Sequence, residues 1–211
     1  SKCHQYIIKK YTECWIPDTN EKTNLTGELG HLKTNDLNLK YIGPLSRMRK
    51  KETPKVYDLM IILSGPEPQR TFLDEKLQKE VVNFKGKVVF VQGIVEKTQN
   101  KWQAGNVTYY NFMNSKQLEQ TFNESEFVLC RSGYTTVMDL AKLGKKAFFI
   151  PTPGQYEQEY LAIKLQEENL VPYAMQDDFT IEDLSKVKSF KGLTQFNESI
   201  DWDSLFSVFE D

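Results

Sequence analysis

Cys130-Arg131-Ser132-Gly133-Tyr134-Thr135-Thr136-Val137-Met138-Asp139-Leu140 joins an apolar run to a helical pattern through a glycine and a pair of hydroxyl residues. A strand that ends in a glycine turn and feeds straight into a helix is the repeating unit of a parallel α/β sheet. Outward from this stretch the same unit recurs. Phe127-Val128-Leu129-Cys130 precedes it as a strand and Ala147-Phe148-Phe149-Ile150 follows as the next. Leu59-Met60-Ile61-Ile62-Leu63, ending in Ser64-Gly65-Pro66, reads as a central strand buried on both faces. Leu73, Leu77 and Val81 form one helical stripe. Residues 87–92 and 107–112 read as strands separated by a polar loop through Trp102. Helices are expected from about Ser115 to Glu124, from about Thr135, from about Tyr156 to Glu168, and after Thr180, with Asp183 completing its cap. A last amphipathic stretch carries Trp202, Leu205, Phe206 and Phe209. The expected fold is α/β, a Rossmann-like doubly wound parallel sheet. Such sheets bind ligands beyond the carboxyl ends of their strands, here the loops 64–70, 131–136 and 151–158.

The pattern changes near residue 45. Before it lie a basic amphipathic stretch (Tyr6 to Tyr11), a short apolar run (Cys14 to Pro17) and a polar loop from Asp18 to about Asn38, longer than compact domains usually hold. Such a loop suggests a segment that has lost its packing neighbours. Tyr41-Ile42-Gly43-Pro44 and the basic Arg47-Met48-Arg49-Lys50-Lys51 read as an interdomain connector.

Across 211 residues, 39% hydrophobic and 27% charged content fits an ordinary globular chain, and a net charge of -2 provides no global attraction to nucleic acid or anionic lipid. Any bound anion must be held by local geometry. Cys3, Cys14 and Cys130 make no CxxC pair, and Cys130 reads as a buried free thiol suited to a reducing cytoplasm. No apolar run approaches the roughly 20 residues that cross a bilayer. With no signal-peptide pattern and no initial methionine, a piece of a longer protein is expected.

The turn at Gly133 has two readings. The first amides of the following helix lack internal partners and, with the helix dipole, would suit a diphosphate. Alternatively, Thr136 with Asp139 is a capping box that needs no ligand. Arg70 could offer a cation to a diphosphate or be a solvated arginine at a helix start. His4 and His31 have no ligand-spaced partners and read as surface residues. Asp201-Trp202-Asp203 imitates an Asp-x-Asp metal motif but reads as solvated surface, far from any strand–loop junction.

Residues 131–159, RSGYTTVMDLAKLGKKAFFIPTPGQYEQE, resemble the donor-binding segment of glycosyltransferase family 28, most specifically between about Phe127 and Leu161 and more loosely over 59–114. The resemblance implies the C-terminal half of a GT-B glycosyltransferase, two Rossmann-like domains facing a cleft. Residues 1–44 would be a remnant of the N-terminal domain and the connector, and residues 45–211 the nucleotide-sugar-binding domain. Ser132 and Gly133, with the helix start at Thr135 and Thr136, would cradle the diphosphate, Arg131 beside them would be a further substrate-binding residue, and Asp139, one methylene shorter than the family's glutamate, would accept from the ribose hydroxyls. Gln158 and Glu159 match a Gln-Gln pair that contacts the sugar, with Gln155 beside them, and Ala162 stands where the family often has asparagine. Gly65 and Arg70 belong to a loop that replaces the family's glycine-rich first loop. Asn111 and Phe112 would flank the uracil, with simple core packing as the alternative for Phe112.

The implied donor is a UDP-sugar carrying a hexosyl or N-acetylhexosaminyl group, with no metal or other cofactor. The catalytic base is expected in the missing N-terminal domain or in a partner chain that supplies it. The expected location is cytoplasmic, at the inner membrane face through that partner domain, and no nucleic-acid partner is expected. Two other readings stand beside this one. In the first, the chain is a non-catalytic binding subunit that docks through Ile7, Trp15 and Phe209. In the second, it is an enzyme like the UDP-sugar 2-epimerases, with acid/base residues near Glu67 or Glu159. A dehydrogenase is disfavoured because no GxGxxG follows any predicted strand.

Overall fold

A computed structural model describes residues 2–31, 37–196 and 200–209, with side chains from residue 5 onward. His4 and Cys3 therefore carry no side-chain description.

Helix α1 (Lys2–Ile8) precedes β1 (Cys14–Ile16), which pairs in parallel with β2 (Leu39–Tyr41). The main sheet contains β3 (Tyr57–Ile62), β4 (Val88–Val91), β5 (Lys101–Ala104), β6 (Val107–Tyr110), β7 (Ser125–Cys130) and β8 (Lys146–Phe149). Their order is β5-β6-β4-β3-β7-β8, with every neighbouring pair parallel except β5 and β6. The crossovers are made by α2 (Gln69–Glu80), α3 (Ser115–Glu124) and α4 (Tyr134–Leu143); α5 (Tyr156–Glu167) and α6 (Trp202–Phe206) follow.

The period-2 alternation of the central strands builds two cores. Leu59, Ile61, Val88, Phe90, Leu129 and Phe148 point to the face covered by Leu73 and Leu77 of α2. Met60, Val89, Val91, Val128, Cys130 and Phe149 point to the other, under Val137, Leu140 and Ala141 of α4 and Leu161 and Leu165 of α5. Cys130 is buried and free, and burial pushes its thiol far above the ordinary range.

Several expectations change. The polar stretch through Trp102 forms β5, an exposed antiparallel edge strand whose Trp102 ring stacks on Tyr109 at 5.2 Å. Strand β6 stops at Tyr110, short of residue 112. The helix after Thr180 is a 3-10 helix, Ile181–Ser189, whose Asp183 carboxylate accepts from the Thr180 N–H at 2.9 Å.

The basic connector is not free. Met48 is buried in the core, Lys51 N–H donates to Asn123 Oδ1 at 2.9 Å, and Asn123 Nδ2 donates to Arg49 O at 3.0 Å, strapping the segment to α3.

The long polar loop is organised by Asp18. Its fully buried carboxylate accepts from Thr19 N, Leu25 N and Thr26 N at 2.7–2.9 Å and lies 3.1 Å from His31 Nε2. His31 also stacks on Tyr41 at 4.6 Å, so it belongs to this hub and is not an ordinary surface residue. Leu25 enters the main core, and Lys164 Nζ of α5 donates to Asn24 O at 2.5 Å. The segment thus has neighbours after all. Trp15 is covered by Phe206 and Phe209, at ring separations of 5.7 and 6.1 Å, and does not belong to a free docking face; Ile7 and Phe209 remain exposed. Asp201 Oδ1 accepts from Ser204 N at 3.1 Å and caps α6. Among the described residues, no helix is long and apolar enough to cross a membrane.

Candidate functional site

Ile62 of β3 is paired with Cys130 of β7, and Cys130 with Phe149 of β8. Equal strand ends bring the loops after β3, β7 and β8 to one edge of the sheet. Each loop presents a glycine there. A Cβ built on Gly133 or Gly154 would meet no atom within 4 Å, and one on Gly65 would meet only Thr152 Oγ1, at 3.9 Å. Gly65 and Gly154 have φ of +106° and +78°, which other residues rarely adopt. The three turns frame an open ledge.

Helix α4 begins on this ledge at Tyr134, one residue earlier than the hydroxyl pair predicted. Its N-cap is Gly133, with φ -70° and ψ 148° and no side-chain cap. The capping box of Thr136 and Asp139 does not form, since both residues already lie inside the helix. The Tyr134 amide donates weakly to Glu157 Oε1 at 3.3 Å, while the amides of Thr135 and Thr136 have no side-chain cap. These donors and the positive end of the α4 dipole face the ledge.

The side chains expected to surround a ligand divide into two groups. Gly65, Gly133, Thr135, Thr136, Gln155, Gln158 and Glu159 all lie on the loops or helix starts of this edge. Gln158 Oε1 accepts from Thr152 N at 2.9 Å, its Nε2 donates to Gln155 Oε1 at 2.6 Å, and Glu159 Oε1 accepts from Gly154 N at 2.7 Å, so all three brace the loop before α5. Asp139 lies one turn along α4, half-buried. Its Oδ1 accepts from Ser46 Oγ at 2.5 Å, and burial raises its carboxyl pKa while Ser46 and Arg47 oppose the rise.

Other side chains turn away. Arg131 is 1% exposed, and its guanidinium donates to Ile150 O, Pro151 O, Gln69 O and Gln176 Oε1 at 2.7–3.2 Å. Burial draws its pKa down to about 10, yet the carbonyl cage keeps it a cation that ties the loops together. Its expected substrate contact is therefore corrected to a scaffolding role. Ser132 is likewise buried, and its Oγ donates to Gln158 O at 2.7 Å, leaving only its backbone for a ligand.

Arg70 is neither free nor solvated. Nη2 pairs with Glu67, and Nη1 donates to Gln92 O at 3.2 Å. The Glu67 carboxyl is lowered, first by the Thr71 hydroxyl and then by Arg70. Asn111 is buried, its amide donating to Glu96 and Thr98 O and its carbonyl accepting from Asn100 N and Phe112 N, which uses the whole side chain to shape the 94–100 loop. Phe112 is half-buried and belongs to neither core, so its core-packing alternative fails.

Sequence reasoning missed three participants. Ser46 reaches Asp139 from the connector, Gln176 completes the Arg131 cage, and Thr152 carries a buried Oγ1 with no hydrogen-bond partner beside Gly65. Thr152, at a strand–loop junction, could have been found from its position. The other two depend on contacts distant in sequence.

Residues 69–191, more than half of the chain, match the glycosyltransferase family 28 C-terminal domain. The UDP-N-acetylglucosamine--N-acetylmuramyl-(pentapeptide) pyrophosphoryl-undecaprenol N-acetylglucosamine transferase of Haemophilus ducreyi is 27% identical over 153 residues, covering 69% of this chain and 42% of that protein. The Pasteurella multocida transferase of the same name is 32% identical over 108 residues, covering 50% of this chain and 28% of its own length. The chain thus spans less than half the length of these relatives. Among solved structures, MurG from Acinetobacter baumannii is similar in fold, with TM-score 0.55 at 13% identity, covering 82% of this chain and 55% of that one. The glycotransferase of kitacinnamycin gives TM-score 0.56 at 13% identity, covering 87% and 53%. By the family match, which contains the α4 turn, both loops of the ledge that follow β7 and β8, and the helices behind them, this chain belongs to glycosyltransferase family 28 as its C-terminal domain.

Proposed function

We propose that the ledge binds the diphosphate of a UDP-sugar and that the chain is the donor half of a transferase moving a hexosyl or N-acetylhexosaminyl group to an acceptor. The observation that carries this reading is the N-terminus of α4, which has no side-chain cap and opens on the free space beside Gly133. As the sugar leaves, negative charge grows on the diphosphate. Fixed amides and a helix dipole stabilise that charge without reorganising. Asp139, with one oxygen held by Ser46, offers its other oxygen to vicinal ribose hydroxyls. Gln155, Gln158 and Glu159 set the loop that would meet the sugar. The ledge is open because it forms one wall of a cleft. The second wall and the catalytic base belong to the remaining half of the transferase, whether in the same polypeptide or a partner chain. A cytoplasmic location, with membrane contact through that other half, completes the proposal.

Calorimetric titration with UDP, UDP-N-acetylglucosamine, GDP and NAD tests it, paired with Gly133→Asp. The backbone at Gly133 accepts any residue and a new side chain meets nothing, so aspartate should cap α4 and hold or slightly raise Tm. It should also place a carboxylate where the diphosphate would lie. Uridine-nucleotide binding that Gly133→Asp weakens by about tenfold or more, about 1.4 kcal/mol, is the expected result. Unchanged binding in a stable variant would reject the site.

A further inference from the structure

At the sheet's amino-terminal edge, opposite the ledge, the segment entering β3 and the turn between α4 and β8 line a half-open cavity of about 310 Å³. Five lysines line it, among them Lys50, Lys55, Lys145 and Lys146, and Glu126 is one of only two carboxylates in the lining. Lys55 Nζ at 2.7 Å and Lys145 Nζ at 3.3 Å donate to the same acceptor, Asn123 O, and Lys145 also donates to Ser125 O at 2.7 Å. Two ammonium groups thus share one carbonyl. Lys145 is 5% exposed. Among the described residues, the only lining lysine with an ion-pair partner is Lys51, 2.5 Å from Glu119. Thr53 adds a buried Oγ1 with no hydrogen-bond partner to the same wall.

Burying the Lys145 cation without an ion-pair partner is costly, and packing the exposed Lys50 and Lys55 against it adds to that cost, which Glu126 opposes only in part. Carbonyl dipoles at the ends of α3 and α4 offset part of it. They do not supply a full negative charge, and Lys145 shows the deficit: burial first, then Lys55 and Lys50, bring its pKa down to about 7.

We propose that this lysine-lined cavity is a second anion site, built for a phosphate group and separate from the diphosphate ledge. A tetrahedral dianion brings two charges and at least three acceptor oxygens to several ammonium groups and the Thr53 hydroxyl at once, where a carboxylate brings one charge and two oxygens. The phosphate can be free or the head of an amphiphile. A neighbouring cavity of about 770 Å³, lined by Phe84, Phe127, Leu184 and Val187, shares Glu126 and Lys146 with it, so an apolar tail would have adjoining space.

The ¹⁵N-labelled chain titrated with inorganic phosphate, against chloride at matched ionic strength, tests the site. The amides of Gly144, Lys145 and Lys146 report the cavity, while those of Gly133 to Thr136 report the ledge separately. Saturable shifts at the first set, weakened about tenfold in Lys50→Gln/Lys55→Gln, are expected for loss of two charge-assisted contacts. Both lysines are exposed, and the amide spectrum of the variant verifies its fold. In parallel, sedimentation with phosphatidylcholine vesicles with and without phosphatidic acid identifies the source. Phosphate shifts without vesicle binding support a soluble phosphate, and vesicle binding lost in the double variant supports a lipid head group. The proposal is overturned if neither phosphate nor phosphatidic acid acts beyond the controls, or if the double variant responds like the parent chain.

Discussion

Arg131 and Lys145 are both buried cations, held in opposite ways. Arg131 spreads its charge over a planar fork and reaches four acceptors, so it stays protonated as the tie between the loops after β7 and β8. Lys145 concentrates its charge on one nitrogen among other lysines, and its pKa falls from 10.5 to about 7. The unfolded chain therefore binds this proton more tightly than the folded one. Between about pH 7 and 10.5 the contribution of Lys145 to stability rises with pH. Lys145→Met removes that contribution. Urea midpoints measured toward both ends of the window should rise more with pH for the parent chain than for the variant; parallel profiles would show that Lys145 keeps its ordinary pKa. At this scale residue type predicted poorly. Arg131 and Asn111 had the chemistry of ligand contacts but spend it on the protein's own backbone. The backbone of Gly133 remained available because glycine has no side chain to divert.

Among elements, the apolar runs and helical stripes were readable because each strand and helix is held by a periodic pattern along itself. The exceptions are elements defined by their neighbours. Strand β5 carries Lys101, Trp102, Gln103 and Ala104, all exposed, and exists because β6 supplies its hydrogen bonds and Tyr109 a stacking surface. The connector read as an interdomain linker, and Asn123 clamps both its Arg49 O and its Lys51 N–H to α3. Asn123→Ala should deprive these part-buried backbone groups of their partner and cost about 1 kcal/mol in urea unfolding. Trypsin should also cut the 47–51 segment faster in this variant while α4 and α5 stay protected. An unchanged cleavage rate would mean that Met48 and the contacts of Glu119 with Arg49 N–H and Lys51 hold the strap without Asn123.

For the whole molecule, the decisive feature is an edge at which three strands end together under a helix whose first turn has no side-chain cap. This geometry supports binding without turnover. The chain alone should bind uridine nucleotide in calorimetry yet transfer no sugar, and it should also be slow to hydrolyse the donor because an open, wet ledge stabilises the leaving diphosphate only weakly. Sugar transfer by the chain alone would show that the base lies within these residues. Glu67 and Glu159 would then be the first to replace, although both are now hydrogen bonded within their own loops.

The sequence by itself determined the parallel strands of the sheet, the succession of α2 to α5 and the glycine turn before α4. Continuous apolar strands must be covered on both faces, and a helix that starts on glycine leaves its first amides uncapped; both are local consequences of residue order. Only the tertiary structure decided which polar side chains face the ledge. Arg131 finds Gln176, 45 residues away, and Asp139 finds Ser46, 93 residues away. A buried polar group must take whatever partner the packing brings near it, and that partner is set by the fold rather than by neighbours in the chain.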